Sequence, residues 1–310
     1  MSLAREYWRM SAVEGAKVWL IGGTSESAEL SRALASRQIP FIVTVTTEAA
    51  KALYSAQTHV VVGKLTLTQM EVFLRQHQIA CVLDASHPFA KIVSEGAIAA
   101  VRRHEEERIK AQKFEEASAI AYLRYERKNL SASTVSDRAI DSVSDSASDG
   151  EVSIDASLEA ILNNSQLHNQ RVLFTLGYRS LLSHATQISQ LRQSAQLFAR
   201  ILPSQAAISA AISVGFSSKE IVALRPPISY DLEKALWQHW KISLVVAKAS
   251  GHAGGEAIKR QLAAELGIQL RLLKRPSVAY PHQSDCVADI VQFCERQVLR
   301  HRRVDKSSIF

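Results

Sequence analysis

The stretch KVWLIGGTSE, Lys17 to Glu26, decides how the rest of the chain is read. Val18, Trp19, Leu20 and Ile21 are apolar without alternation, as in a parallel strand buried on both faces. The run stops at Gly22 and Gly23. Thr24 and Ser25 then offer an N-cap for a segment whose Ala28, Leu30, Ala33 and Leu34 recur at helical spacing. A strand, a glycine turn and a helix start make an anion cradle, because glycine lets backbone approach a phosphate and the first helical N–H groups bind it. The three spaced glycines of the full dinucleotide fingerprint are incomplete here, so a purely structural turn stays open on these residues alone.

Working outward, Phe41 to Val45 reads as a second strand with Thr44, Thr46 and Thr47 near its carboxyl end. A dinucleotide fold meets the adenosine ribose about 20 residues past the glycine turn, at this place. Glu48 follows threonines and precedes Lys51, so a ribose 2′-phosphate is permitted; a solvated strand end and helix cap is the alternative. His59 to Val62 is a third strand, Leu65 to Gln76 a helix, and Cys81 to Leu83 a fourth strand that stops at Asp84. Pro88 suits a first helical position, which puts Ser86 and His87 at the edge where open α/β sheets bind ligands. Ile120 to Tyr125 completes the series, with Arg124 and Arg127 at its end. Alternating strands and helices predict a parallel sheet covered on both faces.

From Ser131 to Gly150 the composition turns to serine and aspartate, too polar to offset the entropy of ordering, and a disordered linker over 131–152 is expected. A second series follows: a helix from Ser157 to Asn163, then strands at Val172–Thr175, Leu197–Leu202, Ile221–Leu224, Leu244–Ala247 and Gln269–Leu273, and a terminal helix at Val287–Leu299. The expected organisation is a flexible leader (1–14), a dinucleotide-binding domain (15–130), the linker, a second Rossmann-like domain (153–300) and a basic tail (301–310). The fold class is therefore α/β, two Rossmann-like domains with parallel sheets and a cleft between them.

At 310 residues, 47% hydrophobic and 22% charged, the composition is that of an ordinary globular protein of two domains. No apolar run suits a membrane span. Cys81, Cys286 and Cys294 lack metal-ligand spacing and cannot all pair, which points to a reducing cytoplasm. Net charge of +7 favours an anionic partner, and no RNA-binding aromatic motif or zinc spacing argues for nucleic acid.

Several residues could carry chemistry. Histidine has an unperturbed pKa near working pH, so His87 suits a proton donor, or it merely orients a helix entry. Asp84 could orient His87 or bond a ligand, or cap the next helix. Lys248, a cation directly after a buried strand and before the glycine loop of Gly251, Gly254 and Gly255, suits an anion site. Arg124 and Arg127 could clamp carboxylates or phosphates, or pair with acids such as Glu126. Tyr230 and Lys234 have the YxxxK spacing of short-chain dehydrogenases but lie far from the expected place, so chance explains them.

Taken together, GGTSE at Gly22–Glu26, DASHPFA at Asp84–Ala90, YLRYER at Tyr122–Arg127, VAKASGHAGG at Val246–Gly255 and KRP at Lys274–Pro276 resemble the precorrin-6A and cobalt-precorrin-6A reductases of cobalamin synthesis, over Lys17 to about Pro276. The resemblance implies two Rossmann-like domains and NADPH, with NADH as the alternative coenzyme. It implies hydride delivery to one ring double bond of an anionic tetrapyrrole, with no metal in catalysis and other cobalamin-pathway enzymes as further partners. It places Gly22, Gly23, Thr24 and Ser25 at the coenzyme pyrophosphate, with Glu26 also among the coenzyme-binding residues, Thr46 and Thr47 near its ribose, and Ser86 and His87 at the nicotinamide end. Lys248, Ser250 and Gly251 would line the opposite wall, with Arg124 and Arg127 near the substrate. Pro226, Pro227 and Ile228 depart from the family's usual turn, Ala50 replaces a usual glycine, and the serine-rich insertion has no counterpart. The rival readings are another NAD(P)-dependent oxidoreductase and a non-catalytic nucleotide or tetrapyrrole sensor.

Overall fold

The computed structural model describes residues 15–111, 119–127, 152–251 and 254–307, with side chains up to 302. The expected leader and nearly all of the serine-rich linker lie outside these residues. The chain divides into two units, residues 1–127 with 276–310, and residues 128–275.

In the first unit the order is β1 (Lys17–Ile21), α1 (Ser25–Ser36), β2 (Phe41–Val45), α2 (Glu48–Lys51), β3 (Val60–Val62), α3 (Leu67–Gln76), β4 (Ile79–Asp84), α4 (Lys91–Lys110) and β5 (Ala121–Tyr125). The second unit contributes β6 (Val152–Asp155), α5 (Leu158–Leu162), β7 (Arg171–Phe174), α6 (Tyr178–Ser183), α7 (Ala185–Leu191), β8 (Gln196–Ile201), α8 (Gln205–Ser213) and β9 (Ile221–Ala223). It ends with α9 (Tyr230–His239), β10 (Leu244–Lys248), α10 (Glu256–Leu266) and β11 (Gln269–Leu273); the chain then closes with β12 (Gln283–Ser284) and α11 (Val287–Ser307).

Both six-stranded sheets are parallel, in the orders β12-β5-β4-β1-β2-β3 and β6-β11-β10-β7-β8-β9. Read from the opposite edge, the first is the doubly wound order in which strand succession reverses between β1 and β4. The second repeats that reversal between β7 and β10.

The unalternating apolar runs have a direct cause. Val18 and Leu20 face one core with Leu30 and Leu34 of α1, while Trp19 and Ile21 face another with Met70, Phe73 and Leu74 of α3. Trp19 is fully buried and its indole N–H donates to Thr44 Oγ1 at 2.9 Å, so the polar edge of a large core residue is satisfied. The second sheet does the same, with Val172 and Phe174 on one side and Leu173 on the other, beside Trp237.

The C-terminal organisation differs from expectation. β12 pairs with β5, and Ile290, Val291, Cys294 and Val298 of α11 join the core of the first sheet, so residues 276–307 complete the first unit. An amphipathic pattern reveals that a helix packs on a sheet but not which of two similar sheets it covers. The terminal helix also runs through the basic residues Arg300–Arg303 to Ser307. β6 was hidden by its position at the end of the serine-rich stretch, and its partner β11 lies more than a hundred residues away.

One pH dependence arises at the opposite end of the first sheet. Burial, then His59 and Lys17 nearby, push His77 down to about 4. The unfolded ring titrates near 6.5, so between these values the unfolded chain binds the extra proton. The stability tied to His77 is therefore complete above about pH 6.5 and is lost as pH falls through about 4. Thermal unfolding followed against pH is expected to show this loss, with a flatter acid limb in His77→Gln; an unchanged acid limb would reject the assignment.

Candidate functional site

β1 delivers its glycine turn to the switch point of the first sheet. Thr24 caps α1 in a reciprocal box with Ser27: the Ser27 N–H donates to Thr24 Oγ1 at 3.1 Å and the Thr24 N–H to Ser27 Oγ at 3.0 Å. Thr24 Oγ1 itself donates to the Ala85 carbonyl at 3.0 Å, tying this turn to the segment after β4. Tyr54, from the turn after α2, closes the arrangement: its hydroxyl accepts the Gly23 N–H at 2.8 Å and meets Ser27 Oγ at 2.6 Å. Because Ser27 Oγ donates to the Thr24 carbonyl at 2.7 Å, the Tyr54 hydroxyl is the donor toward Ser27. Burial pushes the Tyr54 phenol up, so it stays protonated in this role.

This network changes the meaning of the glycines. A Cβ on Gly22 would lie 2.1 Å from Tyr54 Oη, so the close approach that needs glycine there is made by a tyrosine of the same chain. Gly23 sits at φ +102, where a side chain is strained. The Gly22 N–H already serves the Thr44 carbonyl, at 2.9 Å. The next amides, of Ser25 and Glu26, fall in the first helical turn, where a helix supplies no backbone acceptor. Ser25 is exposed, and Glu26 sets a carboxylate on the same turn, where the guanidinium of Arg127 offsets it through Nη2 at 2.9 Å. Thr46 and Thr47 are exposed beyond β2, and Thr47 Oγ1 caps α2 by accepting the Ala50 N–H at 3.2 Å.

At the end of β4, Asp84 is wholly buried and four donors converge on it. Oδ1 accepts the Ser86 N–H at 2.9 Å and Arg124 Nη1 at 3.0 Å; Oδ2 accepts Ser94 Oγ at 2.5 Å and Tyr122 Oη at 2.6 Å. Burial and then Asp84 hold the Tyr122 phenol far above its usual range. Arg124 is 1% exposed, donates also to Ser86 Oγ at 3.2 Å and to Glu126 at 3.1 Å, and lies 5.3 Å from the Tyr280 ring centre. The expectation that Arg124 reaches a substrate is therefore corrected: on β5 it points into the core, and its charge is committed to Asp84. Pro88 is corrected too. It opens a turn in which the Ala90 N–H donates to the His87 carbonyl at 2.7 Å, and α4 starts only at Lys91. His87 is exposed, and its Nδ1 accepts the Phe89 N–H at 3.2 Å, so the neutral ring carries its proton on Nε2.

In the second unit, Lys248 ends β10 at the switch point beside β7. Burial first, then the nearby Arg179 of α6, push its ammonium down. Ser250 is 6% exposed and Gly251 adopts φ +73. Two buried charges shape this loop from α10: Glu256 Oε2 accepts the Gly251 N–H at 2.8 Å, and Lys259 Nζ donates to the carbonyls of Gly254 at 3.4 Å and Gly255 at 3.2 Å. Burial and then Arg200 push Lys259 down to about 8, with Glu233 and Glu256 opposing.

Comparison with known proteins gives the family of the chain. The family model described as "Precorrin-6x reductase CbiJ/CobK" matches residues 17–295. The chain belongs to that family. A cobalt-precorrin-6A reductase of Synechocystis sp. is 39% identical over 91% of this chain and 97% of its own length. The cobalt-precorrin-6A reductases of Priestia megaterium and Salmonella typhimurium are 27% and 28% identical over 85% and 84% of this chain, and 92% and 88% of theirs. A solved CobK precorrin-6A reductase shares the fold, with a TM-score of 0.68 at 18% identity over 91% of this chain and 97% of that one.

The structure places the glycine turn and the Ser86–His87 segment at the switch point of the first sheet, and Lys248 at that of the second, where the sequence put them. Sequence reasoning missed Tyr54, Tyr122 and Tyr280, whose contacts join residues more than thirty positions apart, and Ser94, Glu256 and Lys259, whose partners lie within ten residues but across a turn that no periodicity describes. A buried tyrosine needs a partner for its hydroxyl, which is the one signal Tyr122 offers in sequence. The Tyr230/Lys234 spacing is structural, since Lys234 Nζ bonds Glu265 at 2.5 Å on α10. Among the described residues no helix is long and apolar enough to cross a membrane, and no group of three or more metal-ligating side chains gathers.

Proposed function

We propose that this protein is an NADPH-dependent reductase that converts cobalt-precorrin-6A, or its metal-free counterpart, to the 6B form by hydride transfer to a ring double bond. The observation that carries the reading is the tie between the two loops of the first switch point, Thr24 Oγ1 to the Ala85 carbonyl, in a chain of this family. It fixes a glycine turn and the Ser86–His87 segment side by side where doubly wound sheets bind dinucleotides.

The chain fits such a coenzyme. The Ser25 and Glu26 amides would hold the pyrophosphate, beside the Ser25 hydroxyl, which here donates to the Glu26 carboxylate at 2.9 Å, a charge that Arg127 offsets. Exposed Thr46 and Thr47, with Lys51 following on α2, accept a ribose 2′-phosphate, which favours NADPH over NADH. The bound nicotinamide supplies hydride chemistry that no side chain here provides. Ser86 orients its end of the coenzyme. His87, or an ordered water, supplies the proton the ring requires. Within the second unit, Lys248, Ser250 and Gly251 offer a cation and polar groups suited to carboxylates, and the net charge of +7 favours an anionic substrate.

Purified protein mixed with NADPH and cobalt-precorrin-6A is expected to oxidise the coenzyme in step with substrate loss. Binding without oxidation of NADPH or NADH, with either the cobalt-bearing or the metal-free substrate, would identify a sensor instead. Oxidation by a different ketone or sugar nucleotide alone would identify another oxidoreductase. His87→Ala retaining the full rate across pH would remove His87 as proton donor.

A further inference from the structure

We propose that Asp84 and Arg124 are positioning residues: their buried pair fixes the amide and hydroxyl of Ser86, and with them the backbone that presents His87 beside the glycine turn. The proposal rests on the reductase reading for its kinetic consequence, and on geometry alone for its structural one.

A buried ion pair is weak evidence for stability, because a well-packed apolar pair often serves a core as well or better. What distinguishes this pair is where its bonds go. The Ser86 N–H reaches Asp84 Oδ1, and the Ser86 hydroxyl meets Arg124 Nη1, so both polar handles of one loop residue are held by the two members of one ion pair. Arg124 Nη1 also approaches the Asp84 carbonyl at 3.5 Å. Beyond the loop, Ser94 of α4 bonds Asp84 Oδ2, so the carboxylate grips the segment on both sides of residues 85–90. Ala85 is held from the other direction by Thr24.

The guanidinium is in turn set by its surroundings. Glu126 takes Nε at 3.1 Å, and the Tyr280 ring, stacked on Tyr122 at 6.5 Å with an interplanar angle of 8°, lies against its face. Tyr280 comes from the segment that returns to the first unit after residue 275. Arg124 is thus held at Nε by Glu126, at Nη1 by Asp84 and on its face by Tyr280, and from that position it fixes the Ser86 hydroxyl. Lysine keeps the charge at this position but not the planar fork that reaches Asp84, Ser86 and Glu126 together.

The test is a cycle of Arg124→Lys, Ser86→Ala and the double variant, with turnover and NADPH affinity measured on folded protein. Arg124→Lys is expected to lower kcat on the order of 10- to 100-fold, since small misplacements near a reacting centre cost that much. If Arg124 acts through Ser86, the double variant loses no more than the worse single one. Additive losses, or an Arg124→Lys enzyme with wild-type kcat, overturn the proposal. Hydrogen exchange supplies the readout that does not depend on turnover: the amides of Ala85, Ser86 and His87 are expected to exchange at least about tenfold faster in Arg124→Lys, while strands β1 and β2 remain protected. Unchanged exchange there overturns the positioning role even if the wild type proves inactive on precorrins, whereas faster exchange in an inactive wild type rejects only the reductase reading. Should Arg124→Lys fail to fold, Tyr122→Phe removes one donor from Asp84 while keeping the ring, and the same cycle and exchange measurement decide with it.

Discussion

Asp84→Ala is expected to destabilise the first unit by about 3–5 kcal/mol, the cost of stripping one partner from a buried ion pair. The carboxylate has no exposure and satisfies four donors, from Ser86, Ser94, Tyr122 and Arg124. Alanine leaves all four facing a void, and Arg124 keeps a buried charge with only Glu126 to offset it. Domains are stable by about 5–15 kcal/mol, so the variant sits near the edge of folding. Asp84→Asn should cost less, about 1–3 kcal/mol, because the Ser94 and Tyr122 hydroxyls can rotate to accept from the new amide. Chemical denaturation followed in the first unit distinguishes these: equal losses for alanine and asparagine would mean that volume, rather than the carboxylate's acceptors, holds the region together. A paired change, Asp84→Leu with Arg124→Met, is expected to recover the part of the loss that comes from the unpaired Arg124 charge, while Ser86, Ser94 and Tyr122 still lack their acceptor. It leaves Ser86 unheld, so partly recovered stability without recovered turnover is the outcome that separates stability from positioning.

How much of this was legible in the sequence depended on the range of the interaction. The β1 run and the Thr24 cap are local, and they appear where the pattern put them because a strand buried on both faces and a capped helix are written within ten residues. The two-sheet organisation followed from alternation, and the motif resemblance to precorrin reductases was borne out by the family match over residues 17–295. The failures share a cause. Arg124 looks like an exposed clamp in YLRYER, yet whether it points outward depends on Asp84, forty residues away on a neighbouring strand. The apolar stripe of the terminal helix fits any sheet face, so its pattern alone points to the nearer domain rather than to the first sheet it covers. Tyr54 gave no sign of its role, since nothing between Lys51 and Ser55 shows that the phenol reaches back to Gly23.

Gly22→Ala is expected to cost about 3 kcal/mol, from overpacking of about 1–3 kcal/mol together with a hydrogen bond lost at the turn. The new Cβ would lie 2.1 Å from Tyr54 Oη, 3.1 Å from its Cζ and 3.0 Å from Val43 Cγ1. Tyr54 is 9% exposed and cannot swing into solvent without emptying its place in the core, and its hydroxyl is the partner of both the Gly23 N–H and Ser27. Tyr54→Phe alone should cost about 1 kcal/mol for those bonds. Combined with Gly22→Ala it removes the atom responsible for the worst clash, so the pair should fall short of additivity by at least about 1 kcal/mol. Rescue stays partial, because the ring edge and Val43 remain close. Strict additivity in thermal or chemical unfolding would show that the glycine is required for something other than this tyrosine. The same Tyr54→Phe change carries a second, opposite sign: it releases the Gly23 amide from its only phenolic partner, leaving one more donor at the proposed phosphate site. Coenzyme affinity should therefore hold or rise while stability falls, and a joint loss of both would place the Tyr54 hydroxyl itself in contact with the ligand.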